Sequence, residues 1–466
     1  MRLSFFGAAR EVTGSNILLQ IFDKKILLDC GLFQGVKMAE ERNYQDFPYN
    51  PAEIDFVIVC HAHLDHTGRL PKLIKDGFSG KVFCTSPTKE LARLVLEDCE
   101  KLMREEAEKD NSPPLYTKEH IQQLMDLVVP VDYDQKLRIS DGIDITFKNA
   151  GHILGSATLL VESADGKLVY TSDLGNTPSL LLNPPDTWTD ADYLICESTY
   201  GGRIHEDILS RKEKLANIIT SVMESESVLM IPTFAIERTQ ELLHDIDDFC
   251  TTKKCDKPKF FLDSPLAEKV TDVYKKYSEY FSEKLKREHP DNDFFGQARF
   301  EETSTVEASK AIDKAPNPKV IIAGSGMMNG GRILFHLAKY LPDENNTLLI
   351  VGYQARGTLG RRLLEGAQEV KIFRQKVQVR AKILAIGSYS AHADMPQIIS
   401  WVSKIKGLKK VFLVHGEADQ SLVLAKKMQD ELKLLCEIPQ QGESYLLDHD
   451  NAGKEAETWQ KSYQGY

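Results

Sequence analysis

Apolar and polar positions change their spacing twice along the chain, and this divides it into three stretches. In the first stretch, short apolar runs such as LSFFG, NILLQIF and KKILLDCG are separated by turn residues, a pattern typical of strands. From SVLMIPTF onward, four apolar runs are each followed by apolar residues at helical spacing, which predicts a parallel sheet covered by helices. Strand-like runs dominate again from about Glu369. We therefore predict an α/β domain, residues 204–375, inserted into a strand-rich domain formed by residues 1–203 and 376–466.

A dense group of metal-competent side chains follows the apolar run Phe56–Cys60. His61, His63, Asp65 and His66 leave the end of this predicted buried strand within six positions. Imidazole nitrogen and carboxylate oxygen are usual ligands of zinc. A lone histidine in such a place would more often be an ordinary hydrogen-bonded residue, but four ligand types together favour a metal site. Because one short loop rarely completes two tetrahedral sets, we expect the remaining ligands elsewhere in the chain.

Two further candidate ligands are brought together by a predicted hairpin. The dipeptide Asp165-Gly166 separates two apolar runs and is a strong hairpin signal. His152 precedes the first run and Asp173 follows the second. Because an antiparallel hairpin returns the chain to the edge from which it started, we expect both side chains at one rim of a sheet.

Four more polar side chains occupy the same kind of position, directly after an apolar run. They are Asp29, Glu197, His392 and His415. On local grounds alone, Asp29 is equally compatible with a turn aspartate beside Gly31. The repetition of one placement is what a site built along a sheet edge would produce.

If these strand ends converge, seven side chains suit two zinc ions. One ion would be held by His61, His63 and His152, the other by Asp65, His66 and His415, with Asp173 bridging. Two such metals lower the pKa of a bridging water toward about 7, and the resulting hydroxide attacks a clamped phosphate in line. We expect His392 to protonate the leaving oxygen, with Glu197 favouring its charged form. Asp65 is both a ligand and a catalytic candidate, and Asp29 would orient a ligand histidine or the water.

Length and composition limit the class of protein. At 466 residues the chain is long enough for two or three domains, and its 42% apolar and 27% charged residues are typical of globular proteins. The net charge of −11 disfavours a protein that coats nucleic acid with its whole surface, without excluding a local basic groove. The eight cysteines are scattered, several within apolar runs, which suits buried thiols in a reducing cytoplasm. No apolar run reaches the roughly 18 residues of a membrane span, so we predict a cytoplasmic protein without membrane contact.

The glycine-rich segment Gly324–Gly331 (GSGMMNGG) lies between a predicted strand and a predicted helix. Its third glycine falls one position too late for a dinucleotide-binding loop, which disfavours nicotinamide binding. Backbone amides at a helix start can still bind phosphate. The candidate contacts to a phosphate of a longer substrate are Arg238, Ser325, Gly326, Arg332 and Arg361. Arg356 and Arg362 are similarly placed, and each arginine taken singly is equally compatible with solvated surface charge.

Taken together, these motifs resemble those of the metallo-β-lactamase family and of its β-CASP branch of nucleic-acid hydrolases. HAHLDH, GHILGSA, TSDLG and VHGE are similar to the metal-ligand motifs, while ESTYGG, SAHAD and VHGE resemble motifs A, B and C of that branch. The resemblance extends over nearly the whole chain. It implies an αββα sandwich domain, an inserted α/β domain with a mainly parallel sheet, two Zn2+ ions and an RNA substrate. Motif C contains His415 rather than the valine of DNA-processing relatives, which indicates RNA, while Gly202 and Arg356 depart from acidic residues common in the family and leave substrate preference open.

The resemblance is closest to prokaryotic relatives of the endonuclease subunit of the polyadenylation-cleavage complex. Because the catalytic domain starts at residue 1, we expect no KH domain before it. We therefore predict a two-zinc ribonuclease that mainly cuts single-stranded RNA internally. A 5′-to-3′ exoribonuclease of the same family is the alternative, since that choice depends on a pocket for the 5′ end.

Two other classes of function are disfavoured. A scaffold that only binds RNA or protein would be expected to lack metal ligands, and none is missing here. A small-molecule hydrolase would have no evident use for the insertion or for His392. The sequence leaves the oligomeric state open, a homodimer included.

Overall fold

The computed structural model describes residues 1–35, 37–110, 113–205, 208–253, 258–296, 299–355, 357–447 and 452–455. The chain forms two compact units, Met1–Ile204 with His392–Tyr466 and, between them in sequence, His205–Ala391. Within the described ranges, no helix combines the length and apolar character needed to cross a membrane.

The first stretch of the chain alternates strands with a few helices. Its strands are β1 (Arg2–Gly7), β2 (Asn16–Ile21), β3 (Lys24–Leu28), β4 (Phe56–Ile58), β5 (Lys81–Cys84), β6 (Val128–Pro130), β7 (Leu137–Ser140), β8 (Ile143–Asn149), β9 (Ala157–Ser163), β10 (Gly166–Tyr170) and β11 (Tyr193–Glu197). Its helices are α1 (Lys37–Glu41), α2 (Leu64–Thr67), α3 (Leu70–Lys75), α4 (Ser86–Asp110) and α5 (Lys118–Leu127).

The inserted unit and the C-terminal stretch complete the set. The inserted strands are β12 (Val228–Pro232), β13 (Lys259–Asp263), β14 (Phe300–Glu302), β15 (Lys319–Ala323), β16 (Thr347–Ile350), β17 (Glu369–Ile372), β18 (Gln375–Gln378) and β19 (Lys382–Ala385). The inserted helices are α6 (Ile208–Glu224), α7 (Arg238–Lys253), α8 (Pro265–Lys276), α9 (Glu283–Glu288), α10 (Val306–Ala311), α11 (Ile333–Tyr340) and α12 (Leu359–Leu364). The C-terminal stretch contains α13 (Met395–Val402), β20 (Lys410–Val414), α14 (Ala418–Leu432), β21 (Cys436–Glu437), β22 (Ser444–Leu447) and β23 (Ala452–Glu455).

The first unit is a four-layer sandwich of two sheets between helices. One sheet has the strand order β23-β22-β1-β2-β3-β4-β5-β6, and the other has the order β21-β20-β11-β10-β9-β8-β7. Successive side chains of β2 lie on opposite faces of the first sheet. Ile17 and Leu19 pack in the core between the two sheets, while Leu18 packs in the core on the other face. On that side lie α3, α4 and α5, and the outer face of the second sheet packs against α13 and α14. The predicted αββα fold is confirmed.

The second unit is built on a six-stranded sheet of order β14-β13-β15-β12-β16-β19, whose described pairings are all parallel. The predicted strand-then-helix repeats are β12 with α7, β13 with α8, β15 with α11 and β16 with α12. Met230 of β12 packs in one core with Ile333 and Leu337 of α11, so the apolar face of that helix covers the sheet. The predicted mainly parallel sheet is confirmed.

The strands from β17 to β19 belong to this second unit, whereas the strand-like pattern predicts a return to the first domain at residue 376. β19 pairs in parallel with β16, with Ile383 opposite Leu348, and Val377 of β18 joins the core of the second unit. Period-two alternation identifies such segments as strands without indicating which sheet they join. The unit accordingly extends to Ala391.

Candidate metal centre and active site

The candidate site lies at the carboxyl ends of strands in both sheets of the first unit. β3 and β4 run parallel, and Asp29 and His61 come shortly after their ends. β10, β11 and β20 also run parallel, and Asp173, Glu197 and His415 follow them. Because parallel neighbours end at the same edge, the fold collects these polar side chains in one place.

His61, His63, His152 and Asp173 form the first of two ligand groups. His61 Nε2 lies 3.2 Å from His63 Nδ1, which lies 3.3 Å from His152 Nε2. Asp173 Oδ2 is 3.4 Å from the Nε2 atoms of both His61 and His152. All four ligand atoms lie within 4.8 Å of one another. Tetrahedral donors about 2.0–2.1 Å from a zinc ion are about 3.3 Å apart, so this spacing fits such a metal.

Asp65, His66 and His415 form the second ligand group. His66 Nε2 lies 3.2 Å from His415 Nε2, which is 3.4 Å from Asp65 Oδ2. Asp173 reaches this group through its other oxygen, since Oδ1 is 3.4 Å from His66 Nε2. Each oxygen of Asp173 therefore faces one group, as expected of a bridging ligand.

The burial and charge of these side chains fit a bound metal. Asp173 Oδ1 is buried with no hydrogen-bond partner among the described residues, a costly arrangement unless a cation neutralises it. Burial and the neighbouring His66 keep the pKa of His61 well below its ordinary value, and burial lowers the pKa of His63 to about 4. Both imidazoles are therefore neutral near pH 7, which is the form that binds metal. Together with the fold, this cluster indicates a metal cofactor.

Asp29 orients His66 from behind the ligand groups. Its Oδ2 is 2.8 Å from His66 Nδ1 and accepts hydrogen bonds from Tyr170 at 2.8 Å and from Ser172 at 3.1 Å. Its Oδ1 accepts the amide of Cys60 at 2.9 Å. Burial lowers the pKa of His66, but the neighbouring carboxylates Asp173 and Asp29 outweigh burial and raise this pKa well above its ordinary value. Metal binding would therefore displace a proton from His66.

Two hydroxyl groups that are not among the residues predicted from the sequence also hold ligand histidines. Ser172 Oγ lies 3.2 Å from His61 Nδ1, and Thr199 Oγ1 lies 3.1 Å from His415 Nδ1. Both belong to the motifs TSDLG and ESTYGG, where each lies within two residues of a candidate site residue, and this adjacency is the signal in the sequence. The backbone is left-handed at Asp29 (φ 56°), Ser172 (φ 47°) and His415 (φ 49°), which residues with a β-carbon rarely adopt. Such strain concentrates at functional sites.

His392 and Glu197 form a pair beside the first ligand group. His392 Nδ1 lies 3.3 and 3.2 Å from the two carboxylate oxygens of Glu197 and 3.9 Å from Asp173 Oδ2. Burial lowers the pKa of His392, but Glu197 and Asp173 outweigh it and raise the pKa to about 9. Glu197 is itself fixed by the amide of Leu174, which donates to Oε1 at 2.6 Å. The His392 imidazole is therefore protonated near neutral pH and able to donate a proton.

Two arginines that the sequence suggested for RNA phosphate are paired with carboxylates of the second unit. Arg238, at the start of α7, is buried and donates to Glu241. Arg332 Nη1 donates to Asp263 Oδ1 at 2.7 Å. Both guanidinium groups therefore have internal partners that a phosphate would have to share. Arg356 lies outside the described residues.

The other three candidate phosphate contacts lie in one loop and one helix of the same unit. Ser325 Oγ donates to a carbonyl of its own loop at 3.2 Å. Gly326 packs so closely on the ring of Phe234 that a β-carbon would come within 2.6 Å of it. Arg361 Nε donates to Glu365 at 2.6 Å on the surface of α12. The two loop residues are placed by packing and hydrogen bonds within the unit.

Three family models match successive parts of the chain. A metallo-beta-lactamase superfamily domain matches residues 18–194, a Beta-Casp domain matches 239–363, and a Zn-dependent metallo-hydrolase RNA specificity domain matches 376–439. The resemblance inferred from the motifs is thereby confirmed.

Similar proteins cover nearly the whole chain. Ribonuclease TTHA0252 of Thermus thermophilus is 38% identical over 91% of this chain and 95% of its own length. An RNase J-like protein of Methanocaldococcus jannaschii is 34% identical over 94% of this chain and 98% of its own. The transcription termination factor FttA of the same organism is 32% identical over 94% of this chain and 70% of its own. The crystal structure of a protein of unknown function from Enterococcus faecalis V583 shares the fold, with a TM-score of 0.54 at 12% identity over 95% of this chain and 99% of that one.

Proposed function

We propose that this protein is a zinc-dependent ribonuclease, because the chain belongs to the β-CASP family of the metallo-β-lactamase superfamily. The observation that carries this proposal is the pair of ligand groups sharing Asp173. Histidines with carboxylates are donors typical of zinc, and paired metal ions are typical of enzymes that hydrolyse phosphodiesters. The RNA-specificity model over residues 376–439 and the relative named a ribonuclease support RNA as the substrate.

The ligand groups fit two zinc ions. One ion would be held by His61, His63 and His152, the other by Asp65, His66 and His415, with Asp173 between them. When bound, such ions supply a water of lowered pKa and neutralise charge on the phosphate. Asp29, through its hydrogen bond to His66, keeps one ligand nitrogen directed at the second group.

His392 would act on the leaving group. As the phosphorus–oxygen bond of RNA breaks, its electron pair remains on the departing oxygen, and the protonated His392 donates a proton there. Glu197 holds this imidazole in its charged form through contacts of 3.2 and 3.3 Å. We further propose that the substrate is single-stranded and is cut mainly at internal bonds, with Ser325, Gly326 and Arg361 contacting phosphates.

Cleavage assays test the activity directly. Wild-type protein and the His392→Ala variant are incubated with end-labelled linear RNA, circular RNA and DNA of matching sequence, with and without chelator. We expect the wild type to open circular RNA, the chelator to abolish cleavage, and His392→Ala to be slower by about 10²-fold or more. Loss of only the linear RNA would indicate a 5′-to-3′ exonuclease instead. Equal cleavage of DNA would contradict RNA specificity, and binding of RNA without any cleavage would indicate a scaffold.

Metal content tests the assignment of ligands. Elemental analysis should find about two zinc equivalents in the wild type and about one in either Asp65→Ala or His415→Ala, because each variant removes a ligand from the second group only. His120→Ala is the matched control, since this histidine caps α5 and belongs to neither group. Retention of two equivalents in both ligand variants would overturn the assignment.

A further inference from the structure

The hairpin formed by β17 and β18 has an unfavourable turn at its tip. Ile372 is paired with Gln375, so Phe373 and Arg374 are the two turn residues, and both have left-handed backbone (φ 52° and 64°). This type I′ turn normally contains asparagine or glycine, because a β-carbon disfavours that backbone. The two turn positions are therefore occupied by a large aromatic residue and a cation, neither of which stabilises this turn.

The aromatic side chain at this tip has an exposed aromatic neighbour. Phe373 is 50% exposed and Phe335 of α11 is 64% exposed, yet their ring centroids are 4.6 Å apart with planes at 39°. The adjoining residues Ile333 and Leu337 of the same helix are fully buried in the core. Apolar packing thus fixes the helix, while the two phenylalanine rings remain as an open aromatic surface.

Three cations lie on the same hairpin as Phe373. Lys371 lies directly opposite Lys376 across the hairpin, and both are exposed, although like charges in that position destabilise a sheet. Lys376 pairs with Glu369 at 3.0 Å, but in the described part of the chain no carboxylate pairs with Lys371 or Arg374. In a protein of net charge −11, this combination is a local basic surface. We name Phe335, Lys371, Phe373, Arg374 and Lys376 the hairpin-tip patch.

We propose that the hairpin-tip patch is a binding site for single-stranded RNA outside the metal centre. Exposed aromatic rings stack on unpaired bases of any sequence, and neighbouring cations contact the phosphates between them. Bound RNA would offset the unfavourable free energy of both the strained turn and the like-charge pair. The proposal rests on the proposed function only for its choice of RNA as the polyanion.

A second copy of the chain is the less favourable occupant. A two-fold dimer would place this surface against itself, because such an interface uses the same patch on both partners. Lys371, Arg374 and Lys376 would then face the same cations of the second copy, and among the described residues only Lys376 has an acidic partner, Glu369. Charge complementarity therefore favours RNA.

Binding of fluorescent oligoadenylate, followed by anisotropy in the His392→Ala background so that the RNA is cut only slowly, tests the proposal. We expect the double variant Phe335→Ala/Phe373→Ala to bind about tenfold or more weakly, since each ring stacks on a base. The matched control is Phe22→Ala. Phe22 is 58% exposed with φ 53° between β2 and β3, but the cations after it are paired with Asp23, Asp55 and Glu53.

A second variant separates recognition from structure. Arg374→Gly should raise the melting temperature by about 2 °C, because glycine relieves the turn, and yet weaken RNA binding. It should also reduce the slope of log affinity against log salt by about 0.7, the value for one lost phosphate contact on a single strand. A purely structural turn would gain stability with no change in RNA affinity, which would overturn the proposal.

The remaining outcomes distinguish this proposal from the proposed function. If the wild type cleaves RNA and the patch variants bind and cleave it equally well, the patch proposal fails while the nuclease stands. If the wild type cleaves nothing but the patch variants still lose oligoadenylate binding, the nuclease fails and the patch stands. If the wild type self-associates, and the Phe335→Ala/Phe373→Ala variant loses self-association but keeps its RNA affinity, the patch is a dimer interface and the RNA proposal fails.

Discussion

Asp29 shows how a single carboxylate can organise a metal centre without belonging to either ligand group. It is fully buried, and its oxygens receive hydrogen bonds from a backbone amide, a tyrosine and a serine besides the contact with His66. A histidine with one nitrogen held by a carboxylate presents the other in a fixed orientation and as a stronger base. The spacing of Asp29 from Gly31 in the sequence could not distinguish this role from that of a turn residue.

Replacing Asp29 by Asn should weaken metal binding at the second group. Asparagine keeps the shape but removes the charge that holds His66, so we expect roughly 10- to 100-fold lower affinity for one zinc equivalent. Competition with a coloured chelator measures this affinity. Tyr170→Phe, which removes one hydrogen bond from the same carboxylate, should have a smaller effect. Equal affinity in Asp29→Asn and the wild type would contradict an orienting role.

Asp263 in the second unit makes a comparable prediction about stability. Burial raises its pKa, but hydrogen bonds led by His336 and Thr303 outweigh it and lower the pKa to about 2. A carboxylate with a depressed pKa contributes stability that is complete above its unfolded pKa of about 4 and disappears as pH falls through about 2. Asp263→Asn should therefore lower the free energy of unfolding by about 2 kcal/mol at pH 7, and the difference should shrink below pH 4.

Urea unfolding at several pH values measures the effect of this substitution. The exposed Asp272 on α8 provides the control, since Asp272→Asn should leave stability within about 0.5 kcal/mol of the wild type. A gap for Asp263→Asn that is unchanged at pH 2.5 would show that packing, rather than charge, is responsible.

The same carboxylate explains why sequence alone gave an incomplete account of the arginines. Arg332 follows a glycine-rich loop, which is a reasonable place for a phosphate contact, but its partner Asp263 lies in β13, far back in the chain. Arg238 pairs instead with Glu241, one helical turn away on α7, a spacing visible in the sequence. Distant ion pairs leave no local pattern, whereas i,i+3 pairs do.

At the scale of elements, strand ends were the most predictable feature of this molecule. HAHLDH, TSDLG and VHGE each follow a short apolar run, and the structure places His61, Asp173 and His415 after β4, β10 and β20. Parallel neighbours align such ends, so the convergence follows from the topology. The position of β19 could not be predicted in the same way, because an alternating run fits either sheet and only its pairing with β16 decides.

Helix α13 links the two loops on which His392 and Asp173 lie. Gln397, in its first turn, accepts from the amide of the N-cap Asp394 at 3.3 Å and donates to the carbonyl of Thr177 at 2.7 Å. Gln397→Ala should cost about 1 kcal/mol of stability and slow RNA cleavage by about tenfold, since small displacements of reacting groups are expensive.

A substitution at an exposed position of the same helix controls for this effect. Ser400 is exposed, and Ser400→Ala should change neither stability nor cleavage. Rate measurements at saturating RNA, together with urea unfolding, separate the two consequences of Gln397→Ala. A loss of stability with full cleavage activity would show that the cap supports the helix without positioning the site.

At the scale of the whole molecule, all candidate metal ligands belong to the unit formed by Met1–Ile204 and His392–Tyr466. The tryptophans have the same distribution, because Trp188 and Trp401 are buried in that unit and the sequence has none between residues 205 and 391. Tryptophan fluorescence therefore reports the unfolding of the metal-binding unit alone, while circular dichroism reports both units.

Removal of metal should consequently destabilise one unit and spare the other. A ligand present at about 1,000 times its Kd stabilises the folded state by about 4 kcal/mol, so a chelator should lower the melting temperature seen by fluorescence by several degrees. The part of the circular dichroism transition that fluorescence does not follow should keep its midpoint. In the His63→Ala variant the shift caused by chelator should shrink, because a ligand of the first group is already missing. If both signals moved together by the same amount, the two units would unfold as one cooperative block, and the sequence insertion would not correspond to a separate folding unit.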